Sequence, residues 1–146
     1  MNGSSIEKAL DRCRPTFRGV YSIDTLPTNG RGLMVVNTDP SDRPGTHWIA
    51  IYVDSEGIRG EYFDSLGREP HAIFRRYLQK NCEDWIYNER QIQSVASRFC
   101  GHYCVYYCTL RCHGVDLRRI VSHFTDDTGF NDVLVHDFVC LNKYLN

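Results

Sequence analysis

Long apolar runs are missing from this chain: no 18 consecutive apolar residues occur, so no membrane-spanning helix is expected. The first residues, Met1 to Lys8, have no apolar core and do not read as a secretory signal. Charge of one sign is also absent, since 17 Lys and Arg face 18 Asp and Glu, a net charge of −1. That balance does not point to a strong general affinity for nucleic acid and leaves local basic patches such as Arg75-Arg76 and Arg118-Arg119 as the candidate phosphate contacts. No repeat, low-complexity tract or linker appears, so residues 1–146 are read as one domain, able to bury about two-thirds of its unfolded surface. Seven cysteines without a leader point to a reducing, intracellular compartment, and the odd number leaves at least one thiol unpaired within the chain.

What is present reads as an α+β domain. Ser4 or Ser5 caps a short helix through Ile6, Ala9 and Leu10, ended by Arg14-Pro15. Residues 17–27 look irregular and extended, and Leu33 to Thr38 reads as a buried strand. His47 to Val53 and Ile58 to Asp64 are rich in β-formers and joined by a short turn, Asp54-Ser55-Glu56-Gly57. An antiparallel hairpin there brings His47 beside Asp64 on one edge of the sheet. Pro70 opens a helix with Ala72, Ile73, Phe74, Tyr77 and Leu78 on its apolar face. Another strand begins at Asp84. A nearly continuous apolar run from Tyr103 to Leu110 predicts a buried central helix, followed by a short amphipathic helix over 116–124. The last helix, 129–145, is expected to use Val133, Leu134, Phe138, Val139 and Leu145. The sum is an antiparallel sheet packed on one buried helix.

The chemistry gathers at Cys100, where a polar loop turns into that helix. A thiol at a helix N-terminus can have its pKa lowered from about 8.5 into the range of about 3.5–7.5. Gly101 leaves room for a backbone or a substrate to approach. Thiol hydrolysis also needs a base, a group that orients it, and an oxyanion donor. His47, Asp64 and Gln93 are the candidates for those roles, with the Cys100 backbone N–H as a second donor. Each residue alone has a plainer reading: a core thiol, a packing His-Trp pair, a turn Asp, a solvated Gln. Cys100, Cys104, Cys108 and Cys112 repeat every four residues, with His102 and His113 near, but one straight helix cannot surround an ion with four ligands. They read as small hydrophobes, and no metal is expected.

The order Gly45-Thr46-His47-Trp48, then Tyr62-Phe63-Asp64-Ser65-Leu66-Gly67, then Gln93 seven residues before Cys100-Gly101, resembles the adenovirus-type cysteine proteases. These include adenain and its relatives in Polinton/Maverick transposons, and they are related to the proteases of SUMO and other ubiquitin-like proteins. Phe17-Arg18-Gly19-Val20-Tyr21 is similar to a stretch near the start of adenovirus enzymes, and the likeness spans roughly residues 17–112. The resemblance implies an adenain-type, papain-like fold and a cysteine endopeptidase. In it His47 is the base, Asp64 the third member, Gln93 the oxyanion donor and Cys100 the nucleophile. Gln91 competes with Gln93 but stands nine residues from Cys100, and Trp48 is either a wall of the site with Gly101 or a core aromatic. It also implies that polypeptides are cut after small residues, often Gly, in the maturation of viral or transposon-encoded precursors, in a host nucleus or virion. A monomer is expected, and the chemistry requires no cofactor. By the same resemblance Cys82 is a candidate for a disulfide to an activator peptide. Adenovirus enzymes use DNA as a cofactor, but this shorter, near-neutral chain departs from their basic character. The alternatives are an isopeptidase for a ubiquitin-like modifier and a non-catalytic binding module.

Overall fold

The computed structural model describes residues 1–144. Helix α1 (Gly3–Leu10) starts the chain and runs into a 3₁₀ turn (Asp11–Cys13). Its cap is Asn2, two or three residues earlier than expected, whose Oδ1 accepts from Ser5 N–H at 2.9 Å. Strands β1 (Phe17–Ser22), β2 (Gly32–Asn37), β3 (Trp48–Val53) and β4 (Arg59–Phe63) follow, then α2 (Ala72–Asn81) and β5 (Asp84–Tyr87). The chain finishes with α3 (Cys100–Cys112), α4 (Leu117–Val121) and α5 (Thr128–Tyr144).

One five-stranded sheet has the order β1-β2-β3-β4-β5. The expected antiparallel pairing holds for β2–β3 and β3–β4, whereas β1–β2 and β4–β5 are parallel. Two connections account for the parallel pairs: the 23–31 loop returns the chain beside β1, and α2 is the crossover between β4 and β5. Residues 17–22, read as irregular, form β1, because its hydrogen bonds come from the later strand β2 and its register shifts at Gly19.

The sheet is covered on both faces. Leu33 and Val35 of β2, Ala50 of β3 and Phe63 of β4 face α1, α3 and α5 in one core. Met34, Val36, Ile49, Ile51, Val53 and Tyr62 face the other way, onto Phe74 and Leu78 of α2. A strand apolar on both faces needs a cover on each side, and α2 is the layer that a one-helix packing leaves out. The face of α2 is narrower than expected, since Ile73 is exposed. Helix α3 is buried along Cys100–Cys108 except for His102, as an all-round apolar helix must be. Its Tyr107 ring stacks on Phe63 at 4.8 Å between centroids.

A polar cluster sits inside this interface. Glu61 of β4 is buried; its Oε1 accepts from the Tyr107 hydroxyl at 2.7 Å and lies 3.2 Å from the Arg111 Nε. Its Oε2 accepts from the Leu117 N–H at 3.1 Å, so the buried carboxylate is paired on both oxygens. In α5 Val135 and Val139 are the buried apolar positions, beside the buried polar Asn131 and Asp132; Leu134 and Phe138 pack partly buried against the core, Val133 points to solvent and Leu145 lies outside the described residues.

Candidate active site

Hairpin β3–β4 has Ala50 opposite Phe63, which brings the residue before β3 and the residue after β4 to the same end of the sheet. They lie at the end of two of its three inner strands, β3 and β4, not on an edge strand. Asp54 sets this register: its Oδ1 and Oδ2 accept from the N–H groups of Ile58 and Arg59 at 2.8 and 3.1 Å. The result is a 2.7 Å contact between His47 Nε2 and Asp64 Oδ1. With Nε2 committed to Asp64, Nδ1 is the ring nitrogen left for the Cys100 thiol, which lines the same cleft.

Asp64 is almost wholly buried, and the same Oδ1 accepts from Leu66 N–H at 2.9 Å. Its own N–H donates to Asn88 Oδ1 at 2.9 Å, and the Asn88 amide donates back to the Asp64 carbonyl. Asn88, just after β5, is a buried positioning residue that the sequence reading missed; its only signal is an Asn at the end of an apolar strand. Gly67 closes the turn with φ +69°, and a Cβ there would lie 2.6 Å from the backbone of Arg90 and Gln91. Glycine is required on both counts.

Cys100 is the first residue of α3, and no side chain caps that helix. Its thiol pKa is lowered although burial opposes this: hydrogen bonds from His47 and the Trp48 and Gly101 N–H groups, with the His47 charge, outweigh the burial. The His47 imidazole is raised from 6.5 to about 9, because the hydrogen bonds and charges of Asp64 and Cys100 overcome a burial that would lower it. Both shifts act towards a thiolate–imidazolium pair.

Gln93 is buried and lines the same cleft as Cys100 and His47. Its Oε1 accepts from the Ser65 hydroxyl, and its Nε2 donates to the carbonyl and hydroxyl oxygens of Ser97, both at 3.1 Å. Gln91 is exposed and donates its amide to the Gln93 carbonyl at 3.0 Å, so it supports Gln93 and stays outside the cleft. The segment is fastened from behind by α5. Asn131 Nδ2 donates to the Ile92 carbonyl at 3.0 Å, and Asp132 Oδ1 accepts from the Tyr103 hydroxyl at 2.7 Å.

The cleft has a volume of about 600 Å³ and is walled by Thr46, Trp48, Leu66, Val95 and the two arginines Arg68 and Arg98. Trp48 is a wall residue, and its indole N–H donates to the Met1 carbonyl at 3.1 Å. Gly101 is not: a Cβ there would meet Met1, Ile6 and Trp48 at 3.1–3.4 Å, so its missing side chain serves the packing of α1 and Trp48 on α3. Cys82 is buried at the end of α2, with its thiol donating to the Leu78 carbonyl at 3.1 Å and its pKa raised by burial. A thiol so placed is a poor partner for an incoming peptide. Burial also raises the thiols of Cys104 and Cys108, which pack as core residues. Arg75 is engaged with Glu69 and lies over the Trp85 ring, so it is already paired within the fold.

No family model matches the chain. It is 28% identical over 115 residues to the cysteine protease S273R of African swine fever virus, covering 71% of this chain and 42% of that protein. In another isolate, matched at 29% identity, the same protein is named SUMO-1 cysteine protease. A protease of bovine adenovirus 7 is 25% identical over 87 residues, covering 50% of this chain and 43% of the relative. The chain thus spans less than half the length of these relatives. A crystal structure of the African swine fever virus pS273R protease superposes with a TM-score of 0.67 at 18% identity, covering 92% of this chain and 66% of that one. The fold is that of the adenain-like viral proteases, and the sequence relatives are themselves viral proteases.

Proposed function

We propose that the chain is a cysteine endopeptidase in which Cys100 is the nucleophile, His47 the general base and acid, and Asp64 the group that orients and charges the imidazole. The observation that carries this reading is the thiol at an uncapped helix start, sharing one cleft with an imidazole whose Nε2 is held 2.7 Å from a buried carboxylate. The thiolate attacks the scissile carbonyl carbon, and the carbonyl oxygen takes up the negative charge. The Cys100 N–H and one Gln93 amide N–H, turned from Ser97 Oγ, receive that oxyanion. Imidazolium then gives its proton to the departing amine, leaving an acyl-enzyme. Water, deprotonated by His47, attacks the thioester and releases the acid. All of these groups belong to the chain itself.

The substrates in this reading are polypeptides with a small residue, often Gly, before the cut, as the resemblance to adenain implies. Arg68 and Arg98 in the cleft wall, with no Asp or Glu among its lining residues, favour acidic side chains near the cut. Viral relatives support a role in processing precursor proteins encoded by a virus or virus-like element. A second reading, removal of a ubiquitin-like modifier, draws support from the name SUMO-1 protease carried by one relative.

The test is hydrolysis of a Gly-rich peptide library by the wild type, Cys100→Ala and His47→Ala, run beside covalent probes built on ubiquitin-like modifiers. Peptide cleavage lost in both variants supports the endopeptidase. Labelling of Cys100 by the modifier probes without peptide cleavage favours the isopeptidase. Cleavage that survives Cys100→Ala refutes both.

A further inference from the structure

Two other thiols meet far from the cleft. Cys13, at the end of the 3₁₀ turn after α1, and Cys112, the last residue of α3, are separated by 99 positions in sequence, yet their sulfurs lie 2.7 Å apart. A disulfide holds its sulfurs at about 2.05 Å, so a movement of well under 1 Å joins them. The two thiols are not alike. Cys13 is buried, and burial together with its contact with Cys112 pushes its pKa up to about 12. Cys112 is half-buried, and its sulfur also contacts the Thr109 carbonyl at 3.1 Å and His113 Nδ1 at 3.5 Å. Beside the pair a cavity of about 220 Å³ is lined by Cys13, Thr109 and His113, while Cys112 meets solvent through its own partial exposure.

We propose that Cys13 and Cys112 form an oxidisable dithiol, a modification site distinct from the Cys100 nucleophile, which hydrogen peroxide closes to a disulfide. The more accessible Cys112 thiol gives its proton to solvent and its thiolate attacks one peroxide oxygen; the O–O bond breaks, the departing hydroxide takes a proton back from solvent as water, and Cys112 sulfenic acid results. The Cys13 sulfur then attacks the sulfenic sulfur, the S–O bond breaks, and the departing hydroxide takes the Cys13 proton as a second water. Two thiols lose two electrons and one peroxide becomes two waters. Cys13 is the resolving partner because it is buried away from the oxidant with its sulfur already 2.7 Å from that of Cys112.

The bond ties the connector between α1 and β1 to the far end of the helix whose first residue is Cys100. It closes a loop of about 100 residues, which restricts the unfolded chain strongly. For a domain of this size the melting temperature is expected to rise by about 5–10 °C.

The experiment is peroxide titration of the whole chain, followed by N-ethylmaleimide trapping, proteolysis and mass spectrometry, with thermal melting in parallel. Expected is a linked Cys13–Cys112 peptide lighter by two hydrogen atoms than the separate thiols, and a melting temperature that rises in the wild type. Neither change is expected in Cys112→Ser, whose substituted side chain is half-buried and so tolerates replacement; Cys100→Ala keeps both changes. If both thiols are still captured by maleimide once Cys100 is oxidised, or if either links to a different cysteine, the proposal is overturned. A melting temperature that rises equally in Cys112→Ser also overturns it.

Discussion

Replacing Asp64 by Asn tests how the candidate site holds its charge. The imidazole stands at about 9 where 6.5 is ordinary, a lift equivalent to about 3 kcal/mol in favour of imidazolium. Asp64 and Cys100 share that lift. Giving roughly half to the carboxylate assigns it about 1.5 kcal/mol, or about tenfold in the population of the ion pair. Asn is the informative substitution because Oδ1 of residue 64 accepts from both His47 and the Leu66 N–H. An amide oxygen keeps both hydrogen bonds, so orientation survives and only charge is lost. The assay is iodoacetamide alkylation of each cysteine against pH, resolved by mass spectrometry. In the wild type Cys100 reacts fastest below pH 7; in Asp64→Asn its rate there falls about tenfold, and its titration moves up by about one pH unit. In Asp64→Ala the loss is larger, because the imidazole also loses its anchor. An unchanged Cys100 profile in Asp64→Asn, with native circular dichroism, would refute the reasoning.

Three further outcomes are expected. Gln93→Ala lowers the rate of peptide cleavage about 10²-fold while leaving the pH profile of Cys100 alkylation in place; parallel losses in both would remove Gln93 from the oxyanion role. Gly67→Ala, with φ +69° and backbone atoms 2.6 Å from the new Cβ, destabilises the fold by about 2 kcal/mol or more in urea titration, and a neutral result contradicts the turn geometry. Cleavage by the wild type falls above about pH 9, where His47 loses the proton it must give to the leaving amine, yet alkylation of the Cys100 thiolate continues; if both fall together, the alkaline limb has another source.

The site was legible where local chemistry fixes geometry. A short turn between two β-rich segments puts His47 next to Asp64, and the change from polar loop to apolar run marks Cys100 as a helix start. Gln93 and Gln91 differ by two positions on an irregular segment, so residue pattern could not choose between them; burial does, placing Gln93 in the cleft and Gln91 in solvent. Contacts that join distant parts of the chain stayed hidden. Strand β1 depends on partners in β2, α2 covers a face that a period-two pattern cannot assign to a helix, and Asn88, Asn131 and Asp132 act through bonds to other segments. The meeting of Cys13 and Cys112 is of the same kind, since pairing among seven cysteines cannot be deduced from their spacing.

The buried Glu61–Tyr107 contact works like the zero mark of a vernier between sheet and helix. From Glu61 to Asp64 is three strand residues, about 10 Å. From Tyr107 back to Cys100 is seven helical residues, about 10.5 Å. The two scales run from one shared mark and come level again where the thiol must meet the imidazole. Sliding α3 by one turn, about 5.4 Å, would strand a carboxylate in the core as well as misplace the nucleophile. The alignment of a sulfur with a ring nitrogen is therefore set about 10 Å away, by a hydroxyl and a carboxylate that touch neither.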